Sequence, residues 1–125
     1  MDMNHGKRIM VTACIFVALD MLYFTVAGGV FQRLIFKVQK APLAFNFVGA
    51  FLAYIVLFIS LDYFILEQQQ GPLQAFKLGL AIYAVYELTN YALLKDWSAS
   101  VVVMDTVWGG IVFALTTFLV QKINF

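Results

Sequence analysis

Three carboxylic acids stand inside very apolar stretches of this chain: Asp20, Glu87 and Asp105. A carboxylate loses its hydration in such surroundings, so acids there are functional candidates by default. Each is followed three residues later by a side chain able to hydrogen-bond it, namely Tyr23, Asn90 and Trp108. On a helix that spacing places acid and partner on one face. Tyr83 precedes Glu87 by four residues and Tyr91 follows it by four, also at helical spacing. Mutual repulsion and lost hydration favour a proton on at least one of the three acids near neutral pH. Proton exchange, or the binding of a cation or basic organic group, is the chemistry such a set supports. The proton- or substrate-binding candidates are therefore Asp20, Tyr23, Tyr83, Glu87, Asn90, Asp105 and Trp108. The competing reading is a structural hydrogen-bond cluster that fixes helix packing.

The elements that must position these residues follow from composition. Of 125 residues, 63% are hydrophobic and 12% charged, too few charges to cover a soluble domain of this size. Four apolar runs, residues 9–28, 43–66, 72–94 and 98–120, are each about 20 residues or slightly longer. That length matches a hydrocarbon core of about 30 Å at about 1.5 Å per residue. The β-branched run Val101-Val102-Val103 is strand-like, but the runs are too long for barrel strands and lack their alternation. The expected fold is all-α: residues 1–125 form one integral membrane domain of four transmembrane helices.

Gly28-Gly29 predicts a break after the first helix. Residues 30–40 then read as a short interfacial amphipathic helix, with Phe31, Leu34, Ile35 and Val38 towards lipid and Arg33, Lys37 and Lys40 towards phosphates. Pro42 and Pro72 are expected to open the second and third helices. Gly109 and Gly110 let the fourth helix approach a neighbour closely. Asp62, near the far end of the second helix with Tyr63 and Glu67, is expected to be solvated at the interface. His5 reads as a solvated tail residue, Cys14 as a buried thiol with no disulfide partner, and Trp97 and Tyr63 as interfacial aromatics.

Depth separates Asp62 from the three acids. Glu87 and Asp105 each lie about 10 Å below the face where the third helix ends and the fourth begins, and Asp20 lies about 13 Å below the same face. The three thus share one layer. Lys7, Arg8, Lys77 and Lys122 flank one side and Arg33, Lys37, Lys40 and Lys95 the other, so the charge balance assigns no topology. A net charge of +1 and the lack of a basic cluster interleaved with aromatics give no reason to expect a nucleic-acid partner. Nor does the sequence contain a His-rich metal set, serine elbow, phosphate loop or redox-cysteine pair, so no cofactor or metal is expected.

Tyr86-Glu87-Leu88-Thr89-Asn90-Tyr91-Ala92, then Lys95-x-Trp97 and Asp105-x-x-Trp108-Gly109, resembles a family of small predicted membrane proteins grouped as a domain of unknown function. In that family the third helix usually reads Tyr-Asp-Leu-Thr-Asn and the fourth carries Asp-x-x-Trp-Gly; an aspartate in the first helix, matching Leu19-Asp20, belongs to the same pattern. The resemblance spans residues 10–118 and implies the four-helix fold and the three-acid site, without an activity. Glu87 replaces the usual aspartate, one methylene longer. The reading placed first is a small proton-coupled or cation transporter, analogous in plan to small multidrug exporters. One copy leaves little room for a pathway, so its expected partners are the lipid bilayer and a second copy. A membrane enzyme acting on a lipid or isoprenoid, with carboxyls and Tyr as acid and base, comes second. A structural or accessory membrane subunit, of cellular or viral membranes, comes third.

Overall fold

The computed structural model describes residues 3–123. These form four helices: α1 (Met3–Gln39), α2 (Phe47–Leu61, continued by a π-helical turn Asp62–Leu66), α3 (Pro72–Leu93) and α4 (Ala99–Gln121). No strand occurs among the described residues. Three of the helices, α1, α2 with its π turn, and α4, are long and apolar enough to cross a membrane. At 22 residues α3 is also long enough, but Gln74, Lys77, Glu87, Thr89 and Asn90 make it less apolar.

The helix starts are chemically marked. Asn46 caps α2 by accepting from the Gly49 N–H at 3.0 Å, Pro72 opens α3, and Ser98 caps α4 by accepting from the Val101 N–H at 3.3 Å. Pro42 does not start α2. It lies in an extended connector whose entry is turned by Lys40 at φ 60°, and the Gln39 side chain holds that connector by donating to the Ala41 and Pro42 carbonyls. A free N-cap side chain at Asn46 decides the start, four residues later than the proline suggests.

The separate interfacial helix is not found: α1 runs unbroken through Gly28-Gly29 to Gln39. Two glycines in a helix cost only about 1 kcal/mol each, and packing outweighs that. Leu34, flanked by Val30, Phe31, Ile35 and Val38, packs on Trp97, Val101, Val102 and Met104. The apolar stripe read from the sequence is real, but it faces protein rather than lipid. Arg33, Lys37 and Lys40 remain exposed on the other side.

The tightest seam joins α3 to α4, and glycines create it. A methyl at Gly79 would meet the Gly109 carbonyl and the Phe113 ring; one at Gly109 would meet the Tyr83 ring; one at Gly110 would meet Phe76. Small residues on both helices let the backbones approach. Beside the seam, Phe16, Leu61, Ile65, Ala75, Val112 and Phe113 form the apolar core, with Phe16 set edge-on to Phe58 and Phe113 at 5.6 Å. Cys14 is exposed on the outer surface of α1 rather than buried. Gly109→Ala is expected to destabilise the protein by about 1–3 kcal/mol through overpacking. Thermal unfolding in detergent measures this, and an unchanged midpoint would mean that the α3–α4 seam yields.

Candidate functional site

Asp20, Glu87 and Asp105 are all buried, at 5%, 0% and 7% exposure. They converge between α1, α3 and α4, where the Tyr23 hydroxyl stands within electrostatic reach of all three. Their donors do not come from their own helices. Trp108 of α4 donates its indole N–H to Asp20 of α1 at 2.9 Å, and Tyr23 of α1 donates to Asp105 of α4 at 3.3 Å. The expected pairing within each helix is thus replaced by an exchange across the α1–α4 contact. The reason is geometric: side chains three apart on one helix point the same way, side by side. On antiparallel helices, two acid-then-donor pairs of equal spacing face each other with acid opposite donor. The two donor rings stack at 4.6 Å with their planes 3° apart, filling the space between the acids.

Two further donors complete the set. The Tyr54 hydroxyl of α2 donates to the second oxygen of Asp20. Trp97, in the α3–α4 connection, is buried and donates to Glu87 Oε1 at 2.9 Å, so its indole faces protein rather than lipid. Both residues are missing from the candidates named above. Tyr54 was within reach of the depth argument, since about eight residues from the start of α2 put it about 12 Å below the same face. Trp97 carried no such signal, because its position depends on the fold of the short loop.

Of the remaining candidates, Tyr83 reaches the cluster from α3. Its ring packs against Gly109 and lies 6.4 Å from the Phe113 ring, and its hydroxyl is within electrostatic reach of Asp20 and Asp105. Asn90 does not join: its side chain makes no hydrogen bond among the described residues, and only its backbone carbonyl is used, by the Leu94 N–H. Tyr91 is exposed.

Glu87 and Asp105 form the chemically distinctive part. Glu87 accepts from Trp97 and lies within electrostatic reach of the Asp105 carboxyl. Its Oε2 is buried with no donor of its own. Two carboxylates have no hydrogen to share, so a hydrogen bond between them would require a proton on one. Among the described residues, no Lys, Arg or His is a hydrogen-bonding partner of the three acids.

At the other end of α1 and α2 stands a second polar cluster. Asp62, 5% exposed, accepts from Arg8 Nε at 2.8 Å and from His5 Nε2 at 2.7 Å, and Arg8 also pairs with Glu67. Asp62 is therefore buried and ion-paired rather than solvated, and His5 is tied to it. Desolvating a carboxylate at this site is tolerable because the guanidinium returns two charge-assisted contacts to the acid pair.

An all-helical chain with three membrane-length apolar helices and its polar groups turned inward is a multi-pass integral membrane protein. A family model described as "Predicted membrane protein (DUF2177)" matches residues 6–121, and the chain belongs to that family, whose function is unknown. No curated protein and no solved structure matches the chain.

Trp97→Phe leaves a buried carboxylate oxygen without its donor and is expected to cost about 1–3 kcal/mol in unfolding free energy. Asn90→Ala should stay within about 0.5 kcal/mol of the parent. Denaturant titration of the solubilised protein compares them, and equal losses would contradict the observed partner set.

Proposed function

We propose that the chain is a small proton-coupled carrier in which the Glu87–Asp105 pair, backed by Asp20, binds either a proton or a monovalent cation. The observation that carries this reading is the acid pair itself: two buried carboxyls stand close together with one oxygen lacking a donor and, among the described residues, no basic hydrogen-bonding partner. A cation replacing the proton leaves the net charge of the buried layer unchanged, so the exchange adds no uncompensated charge to the interior. The stacked Tyr23 and Trp108, with Tyr54 and Tyr83 beside them, supply aromatic faces that suit an organic cation with an apolar body. A homodimer belongs to the same reading, because a single four-helix copy has little interior for a pathway. The acids would lie within the membrane, between the face at which α3 ends and its midplane.

The test is proton release when tetraphenylphosphonium is added to purified protein in weakly buffered detergent. Wild type is expected to release protons as the cation binds. The Asp20→Asn, Glu87→Gln, Asp105→Asn triple variant should release none while keeping its helical circular dichroism. Equal signals from the two proteins would exclude the carrier reading.

A further inference from the structure

The cluster at the start of α1 has a composition that the carrier reading does not use. His5 Nε2, a carboxylate oxygen of Asp62 and one of Glu67 all lie within 4.8 Å of one another. Asp62 and Glu67 are brought together by the π-helical turn. In a regular α-helix, residues five apart diverge by about 140° around the axis. Here the Glu67 N–H bonds to the Asp62 carbonyl at 2.7 Å, an i to i+5 bond that sets residue 67 over residue 62. Single π turns of this kind are frequent at functional sites.

We propose that His5, Asp62 and Glu67 form a binding site for a divalent transition-metal ion of the zinc or manganese type, which Arg8 occupies electrostatically when the metal is away. One imidazole nitrogen and two carboxylates make a donor set that suits these ions better than calcium, magnesium or copper(I). The two carboxylates also balance the charge of one divalent ion. Arg8 now holds both of them, through Nε to Asp62 and a terminal guanidinium nitrogen to Glu67. Binding therefore requires the guanidinium to leave. A cavity of about 240 Å³ lined by Arg8, Leu66, Gln69, Val120, Gln121 and Ile123 opens beside it and has room for the displaced group. Metal–ligand bonds of about 2.0–2.2 Å require the three donors to draw together from their present span. The Glu67 side chain, 50% exposed, is free to make most of that movement, while Asp62, 7% exposed, stays fixed.

The site stands apart from the acid layer, about 22 Å along α1 from Asp20 to His5. Its test is separate for that reason. Zn²⁺ is titrated calorimetrically into the tag-free full chain in lipid nanodiscs, and Co²⁺ absorption reports the ligand set. Wild type is expected to bind a single Zn²⁺. His5→Gln and Glu67→Gln, both at partly exposed side chains, should weaken binding at least about tenfold. Arg8→Gln should tighten it several-fold, because a competitor is removed, an effect no purely structural ion pair predicts. The Asp20→Asn, Glu87→Gln, Asp105→Asn variant should bind as wild type does, so the two proposals fail independently. Absence of binding in both wild type and Arg8→Gln, or affinity unchanged across the His5 and Glu67 variants, would overturn the assignment.

Discussion

The structure depends on one constraint: a carboxyl taken out of water must be given donors, and within the acid layer those donors come from neighbouring helices. Asp20 on α1 is served by α2 and α4, Asp105 on α4 by α1, and Glu87 on α3 by the α3–α4 connection. Sliding any helix by one turn, about 5.4 Å, would take a donor from at least one acid. Leaving such a group unpaired costs more than any single apolar contact contributes. The acids thus set the helix register, which the apolar surfaces specify only loosely, since most of α2 and the outer face of α1 would be as content in lipid.

Along the bundle the polar groups fall into two layers separated by an aromatic plug. Phe16, Phe113 and Leu61, all fully buried, lie between the Asp20–Glu87–Asp105 layer and the Arg8–Asp62 layer. The two layers solve the same problem differently. At the N-terminal end of α1 an arginine neutralises the acids directly. In the other layer the donors around the acids are neutral hydroxyls and indoles. That contrast underlies the two proposals: exchange at the Asp20–Glu87–Asp105 layer, and competition between cations at the Arg8–Asp62 layer.

Much of this was legible in the sequence. The four helices, the layer shared by three acids and the close approach at Gly109-Gly110 follow from run length, 1.5 Å per residue and side-chain size. The crossed partners of Asp20 and Asp105 were legible in principle, since Asp-x-x-Tyr and Asp-x-x-Trp at equal spacing on antiparallel helices imply them. Other features depend on contacts that periodicity does not encode. Whether residues 30–39 form their own helix hinged on Trp97 and Val101 being there to receive Leu34. Asp62 and Glu67 look like surface acids until an i to i+5 bond rotates one over the other. His5 and Arg8 acquire meaning only once α1 and α2 lie antiparallel.

Helix α2 is held to the bundle unevenly. Its lower half, from Leu57 to Leu66, is anchored in the apolar core and by Asp62, whereas Phe47, Val48, Phe51, Leu52, Ile55 and Val56 above it are exposed. A single phenol, Tyr54, clasps that upper half to Asp20. The Tyr54 ring adds an edge-on contact with Phe16, and the apolar side chains around it point outward. On that side one helix thickness separates Asp20 from the acyl chains.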